Sequence, residues 1–540
     1  MRHPLLNLDV LALVCESISD TKTVLSFSLV SHALRSMAAT RLLSMKPVVL
    51  KDERTIRAFH KFLFTDSQSR LPFFRVLDIS ISEIKKEAFQ EISRCILDLL
   101  ERATHLECLT LPYPGLTLVY SADPRVLDTI IRISTLRELG LWDKCDESEM
   151  IVKSTRSAAS LRTLRVSLEF LPIGWNSQAF GVKVSEVDTF LQHLIPTLEV
   201  LDTRKTPLVL DTKGAEYPAV RSFVGSFAEG VTCTDILVSK FPALDGTLGV
   251  GKVNYILRLD LPRQQHIRAS NQDRQKQKSR KHLDRVVGDV TALFVLGLTC
   301  PVRHLMVDGI RGLERLQIAD ILRSTPPTHL KLSSMLYWHG NDVFEDLFPA
   351  EVIPRLTHLV LVIEYMIPRM FDHHSYSDAV SNMNLRVLLT QIIASICTLR
   401  LTHFRLFIHY FRPNAASYVP HSKDFVRRMA TLDHAHLATE LAHALPSLQY
   451  TFVSTGGQCG PLCGTSESDD FNKPRHTHCR WFTHSAWKNV PSGPPRRLDT
   501  NVMEQILVDE DLVLSDADNC SLGLQNTWEE EETAPGPFPE

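Results

Sequence analysis

The chain lacks a charge excess of one sign, an apolar run of membrane length and any common catalytic signature. Each absence removes a class of function. Its 540 residues carry 59 Lys and Arg against 62 Asp and Glu, a formal net charge of −3, so no chain-wide basic field is present to draw nucleic acid or a membrane surface. The longest apolar runs, around 290–302 and 385–399, are too short or too interrupted for a bilayer, which needs about 20 residues. Asp9 and Glu16 break the N-terminal apolar stretch, so no signal peptide is expected. No G-x-S-x-G, H-E-x-x-H or Walker-type loop occurs. Gly246-Thr247-Leu248-Gly249-Val250-Gly251 has no following Lys-Ser/Thr and is no phosphate cradle. His373-His374 and His434-Ala435-His436 stand isolated and read as exposed loop or helix-face residues. The expectation is a protein that is not an enzyme and uses no cofactor.

Eleven cysteines are present, an odd number and mostly scattered singly, at Cys15, Cys95, Cys108, Cys145, Cys233, Cys300 and Cys397. They read as small core residues in a reducing compartment, cytoplasmic or nuclear. One denser group, Cys459 and Cys463 followed by His476, His478 and Cys479, offers zinc-type ligands. Its spacing matches no zinc module, and a loop with coincidental cysteines is the preferred reading, so no metal is expected.

The near-neutral total conceals a split. Residues 501–540 hold eleven acids and no Lys or Arg, which leaves 51 acids against 59 bases over the first 500. Within those 500, the stretch 263–285 holds Arg263, Arg268, Arg274, Lys276, Lys278, Arg280, Lys281 and Arg285 against Asp273 and Asp284. It reads as a solvated insertion or helix extension, since it has no aromatic residues to stack on bases. The acidic tail is expected to stay out of the core, mostly disordered, to carry at most one short docking element at Val502, Ile506, Leu507, Leu512 and Leu514, and to fold back on the basic stretch.

From about residue 70 a six-residue frame recurs, apolar at positions 1, 4 and 6. It begins at Phe74 (with Leu77 and Ile79), Leu106, Leu136, Leu161, Ile256, Val302, Leu356 and Leu401, with weaker copies at Leu198, Val220 and Leu448. Alternation at its end places two side chains on one face of a short strand. Helical stripes lie between, over 83–103, 126–133, 184–195, 286–298 and 385–399. An L-x-x-L-x-L frame alternating with helices is the pattern of leucine-rich repeats, in which parallel strands with outer helices stack as a solenoid. The starts at 74, 106, 136 and 161 are unevenly spaced, so the repeats are degenerate. The expected organisation is a helical unit over 1–45, an irregular solenoid over 46–455, a Gly/Pro/Cys/His-containing loop region over 456–500 and the tail over 501–540. The expected class is α/β.

The first 45 residues read as three short helices. Leu8, Leu11, Val14 and Ile18 share one helical face. Asp20-Thr21 supplies a turn and an N-cap. Val24, Leu25, Ser28 and Leu29 form the next face, continued by Val30, Leu34 and Met37. Residues Leu6 to Ile18 resemble the opening of an F-box, usually L-P-x-E-[LV]-L-x-x-I-x-x-x-L. Asp20 to Arg35 resembles its second half, usually D-x-x-x-L-L-x-x-x-x-V-[CS]-[KR]-x-W-R. Asn7 stands where proline is common and Leu34 where tryptophan is common. The whole chain resembles the F-box/leucine-rich-repeat proteins.

That resemblance implies a substrate adaptor of a Skp–cullin–F-box ubiquitin ligase. The F-box would bind a Skp-type adaptor, and through it a cullin, using Leu6, Leu8, Asp9, Val10, Leu11, Val14, Ile18, Leu25, Leu29, Val30 and Leu34. The repeats would bind a protein substrate, with no nucleic acid and no membrane involved. Trp142, Asp143, Lys144, Tyr337, Trp338, His339, Glu364 and Tyr365, read as loop residues just after repeat strands, are candidate substrate contacts, since aromatic and charged anchors dominate such interfaces. The alternative is a repeat scaffold outside the ubiquitin system whose N-terminal helices merely cap it. Exposure of the apolar surplus over Leu6–Leu34 favours docking; its burial favours the cap.

Overall fold

The computed structural model describes residues 7–18, 21–45, 47–81, 84–112, 123–142, 145–167, 182–209, 214–227, 233–251, 260–310, 314–336, 344–366, 383–411, 423–459, 479–490 and 493–513. The chain is mixed α/β with mostly parallel strands. It divides into two compact units, Met1–Glu229 with Ile236–Leu244, and Gly230–Asp235 with Asp245–Glu540. The division falls inside the stretch expected to form one solenoid.

The first unit opens with three helices, α1 (Leu8–Ser17), α2 (Thr21–Ser28) and α3 (His32–Met45), followed by strands β1 (Val48–Leu50), β2 (Val76–Ile79), β3 (Cys108–Leu111), β4 (Glu138–Leu141), β5 (Thr163–Val166), β6 (Val182–Lys183), β7 (Val200–Val209) and β8 (Ser222–Phe227). β1 to β5 pair in parallel in chain order, and β7 then pairs with β5, β6 and β8. The frame is the reason. Its residues at positions 1, 4 and 6, such as Leu106, Leu109 and Leu111 or Leu161, Leu164 and Val166, are all buried, against helices such as Phe89–Arg102, whose Ile92, Ile96, Leu99 and Leu100 face inward. One buried polar group ties later elements of this unit together. Asp188 accepts hydrogen bonds from the Tyr217 hydroxyl at 2.7 Å, the Ala215 amide at 2.7 Å and the Lys240 ammonium at 3.0 Å. The pair is buried on both sides, and the Lys240 ammonium donates further to the Ala215 carbonyl at 3.1 Å; such added hydrogen bonds are what make a buried ion pair tolerable.

The second unit runs β9 (Thr247–Val250), β10 (Leu283–Asp289), β11 (Val302–Ile310), β12 (His329–Met335), β13 (His358–Met366), β14 (His403–Phe411), β15 (Tyr450–Cys459), β16 (Cys479–Val490) and β17 (Gly493–Arg497). β9 to β15 are parallel neighbours in chain order, while β15–β16 and β16–β17 are antiparallel. The described residues of the 456–500 region are therefore mostly strand, not loop. Its zinc-type group is only partly described: β15–β16 register sets Cys459 opposite Cys479, and Cys463, His476 and His478 lie outside the described residues.

Two further expectations change and a third narrows. The frame beginning at Ile256 ends not in a strand but in a helix, Leu261–Gln277, started by Asp260, whose carboxylate accepts from the Arg263 amide, and by Pro262 in its first turn. The stripe expected over 286–298 is split: Val286 to Asp289 belong to β10, and the helix is Val290–Leu296. Of the two readings of the basic stretch, solvated insertion or helix extension, the helix holds for residues 263–277, and one side of it is packed rather than solvated. Arg268 donates to the Phe294 carbonyl at 2.8 Å, Asn271 to Val295 at 2.8 Å and Gln275 to Gly297 at 2.9 Å. Those carbonyls belong to the end of the Val290–Leu296 helix, where intrahelical partners run out. A polar helix thus packs by supplying the donors its neighbour lacks.

Candidate protein-binding surfaces

The three N-terminal helices are held by a small core of Cys15, Val24 and Ala38, with Ile18, Phe27, Met37, Leu42 and Met45 packed around it. Asn7, at the position where the F-box pattern favours proline, is the N-cap of α1; its side chain accepts from the Asp9 amide at 2.9 Å, the role for which asparagine is suited. At the other end of α1, Arg41 of α3 donates two hydrogen bonds to the Ile18 carbonyl.

That core uses one side of the helices only. Leu34, at the tryptophan position, is buried, and Leu11 and Ile18 are half-buried. Leu8, Val10, Val14 and Leu25 are exposed, Leu29 is 77% exposed and Val30 72%. Leu13, which the spacing did not single out, is 65% exposed on the same helix. Asp9 is exposed beside them, and Leu6 lies outside the described residues. Each fully buried aliphatic side chain of this size gains about 1.5–3 kcal/mol. Leaving so many in water on short helices gives this face the character of an interface.

The strands of the second unit have two unlike faces. Frame residues Leu305, Val307, Leu359, Leu361, Phe404 and Leu406 are buried. The alternate residues form cross-strand rows on the opposite face. One row is Arg285, His304, His329, His358, His403 and Tyr450, in register across β10 to β15. The next contains Val287, Met306, Lys331, Val360, Arg405 and Phe452 in the same order.

This face is covered by the C-terminal segment 499–513, the part of the acidic tail read as one short docking element. Residues Thr500–Asp509 form a helix capped by Asp499. Met503, Leu507 and Leu512 are buried in one cluster with Met306, Val360, Val362, Phe407, Phe452 and Ala486. The helix ends with the Leu512 amide on the Leu507 carbonyl at 2.8 Å and the Asp511 amide on Val508 at 3.2 Å. These are the two bonds of a Schellman ending, with the accompanying contact between Leu507 and Leu512. Asp511 takes the left-handed position, φ 49°, where glycine is usual and an L-residue costs roughly 1–2 kcal/mol.

What holds Asp511 there is charge. Its carboxylate lies 2.5 Å from Arg285, 3.4 Å from His304 and 3.6 Å from Lys331. Burial pushes its pKa up, but Lys331, Arg285 and His304 outweigh that and hold it below the usual carboxylate value. Glu510 meets His358 Nε2 at 3.1 Å. Lys331 also donates to the Val513 carbonyl at 3.1 Å, and Arg405 donates to that of Leu512. Of the basic stretch 263–285, then, it is Arg285 that meets the acidic segment, while Arg268 is committed to the neighbouring helix.

His329, His358 and His403 stack, and His304 lies tilted against His329 at 48°. Ring centroids are 4.4 Å apart for His304–His329, 4.0 Å for His329–His358 and 4.4 Å for His358–His403, and Tyr450 continues the stack at 5.0 Å. Thr328, Thr357 and Thr402 each place a hydroxyl on Nδ1 of the following histidine, at 2.9, 2.8 and 2.9 Å. Burial lowers all four pKa values, His329 to about 3 and His403 to about 4, and neighbouring imidazoles add to the effect in both. The stack is neutral at pH 7. Two charged rings at 4 Å would repel by about 4 kcal/mol at an effective dielectric constant of 20.

His358, His403 and Glu510 also offer three potential metal-ligand atoms within 4.8 Å of one another. The two imidazoles are within 8° of parallel, so their nitrogen lone pairs run side by side. A zinc-type ion needs donors converging at about 2.0–2.2 Å, and parallel stacked rings do not converge. Of the trio, His358 bonds Glu510 at 3.1 Å, and His403 packs behind it.

The remaining sequence candidates are dispersed. Trp142 follows β4, half-buried, its amide bonded to the Leu111 carbonyl at 3.3 Å. Asp143, Lys144, Tyr337, Trp338 and His339 lie outside the described residues. Glu364 and Tyr365 are not loop residues: β13 extends to Met366, and both are buried in it. Tyr365 packs on Tyr410 and Phe425. His434 is not exposed either. Its Nδ1 meets Ser485 at 2.7 Å and its Nε2 meets Thr455 at 3.3 Å, a hydroxyl rather than a carboxylate. His436 is exposed beside Glu440, and His373 and His374 lie outside the described residues. Among those residues no helix is long and apolar enough to cross a membrane. No protein-family model matches the chain, and no curated protein matches it.

Proposed function

We propose that the chain is the substrate-recognition subunit of a Skp–cullin–F-box ubiquitin ligase. α1 to α3 act as the F-box that docks on a Skp-type adaptor, and the strand–helix units act as degenerate leucine-rich repeats that hold a protein substrate. It performs no chemistry itself; a separate enzyme on the cullin would transfer ubiquitin. The observation that carries this reading is the exposed apolar surface of α1, α2 and the turn after them: Val10, Val14, Leu25 and Val30 stand at positions where the F-box pattern is apolar, and Leu8 and Leu29 add to the same exposed surplus. A purely structural cap would turn these residues inward. The small core of Cys15, Val24 and Ala38 supports the helices without them, which is what a docking module requires.

The test is capture of a purified Skp-type adaptor by the full chain carrying Leu8→Asp and Leu29→Asp. Interface anchors of this kind are worth about 2 kcal/mol or more, so affinity should fall at least thirtyfold while the thermal melt stays in place. Undiminished capture by the folded variant would overturn the proposal.

A further inference from the structure

We propose that residues 499–513 occupy in cis a peptide-binding face of the second unit. The partner recognised there would offer a short acidic amphipathic segment of the same design. This deepens the reading of the repeats as a recognition module and rests on it. Three observations converge. The polar ties have one polarity: Arg285, Lys331, Arg405, His304 and His358 stand on the strands, while the carboxylates of Glu510 and Asp511 and the carbonyls of Leu512 and Val513 stand on the segment. The apolar centre of the face, Met306, Val360, Val362, Phe407 and Phe452, is closed by Met503, Leu507 and Leu512. And the segment is a ten-residue helix, a length that is marginal in water without a surface to pack on.

A ligand reading these contacts carries apolar residues at the spacing of 503, 507 and 512, with two acids immediately before the last. The short link from β17 keeps the chain's own copy at an effective concentration in the millimolar range. An external segment therefore enters only when it binds better than the resident one or when the resident one is released. The neutral histidine row fits this role. It turns ring edges to the segment, His358 Nε2 meeting Glu510 at 3.1 Å, without adding positive charge that would also hold unselective anions.

The experiment uses a fluorescent peptide of residues 497–513 and the full chain. Anisotropy should show binding to Leu507→Asp and to Asp511→Arg chains at least tenfold tighter than to wild type, because their own segment is released. A peptide carrying Asp511→Arg should bind the Leu507→Asp chain at least tenfold more weakly than the native peptide does. Equal binding to wild type and variants would overturn the proposal, as would no binding to a variant that melts cooperatively. If both variants fail to fold, the segment is core rather than ligand, and the proposal also falls. Adaptor capture through α1 and α2 is measured separately, so loss of one result leaves the other standing.

Discussion

The molecule has two apolar surfaces in opposite conditions. On α1, α2 and the turn after them, Leu29 and Val30 stand in water. On the β10–β16 face, Phe407 and Phe452 are as apolar yet buried, because Met503, Leu507 and Leu512 lie on them. The difference lies in what the chain supplies. The strand face has an internal partner whose charges match its own, whereas among the described residues Leu8, Val10, Val14, Leu25, Leu29 and Val30 of the helical face stay exposed. An apolar surplus in a sequence does not say which case applies; only the presence of a complementary segment does.

The comparison can be broken most severely on the covered side. Phe452→Ala removes a ring from the buried cluster and should cost about 3–5 kcal/mol, read as a lower urea midpoint of the full chain. Leu29→Asp, on the open side, should shift stability by no more than about 0.5 kcal/mol while lowering adaptor affinity by about 2 kcal/mol. A large stability loss there would mean that the face is not open. Asp511→Ala should loosen the C-terminal segment by about 1.5–3 kcal/mol, the order of hydrogen bonds to charged groups, seen as faster proteolysis after residue 498.

The smallest effect is that of pH. His329 and His403 have folded pKa values of about 3 and about 4, below the ordinary 6.5. Between those values the unfolded chain binds more protons, so their contribution is complete above the ordinary value and is lost as pH falls through the folded values. Asp511 is also depressed, so its contribution disappears only at lower pH, below the ordinary carboxylate value. His329→Phe keeps the stack and removes one titrating ring. Its melting temperature should fall less steeply than wild type between pH 6.5 and 4.5, and an identical slope would contradict the assignment.

Most strands were legible because burial demands the same three apolar positions each time. The misses have physical causes. β12 was hidden because Pro327 holds the first position of its frame. β10 was hidden because Gly288 holds the sixth; a Cβ there would meet Val250 at 2.5 Å, so the neighbouring strand fills the space a leucine would take. The helix over 261–277 packs through Arg268, Asn271 and Gln275, so hydrophobic periodicity could not show it as packed. The covered face was least visible. Its histidines occupy the third frame position, usually after threonine, as in Thr357-His358-Leu359 and Thr402-His403-Phe404, and that recurrence was the available signal. The complement between Asp511 and Arg285, 226 residues apart, shows only when the strands bring them together.

The most direct test is hydrogen–deuterium exchange of the full chain with and without a purified Skp-type adaptor. The contrast between an open and a self-covered surface predicts new protection over residues 8–30 on adaptor binding, with residues 499–513 protected already and unchanged. No protection over 8–30, or protection appearing at 499–513 instead, would contradict it.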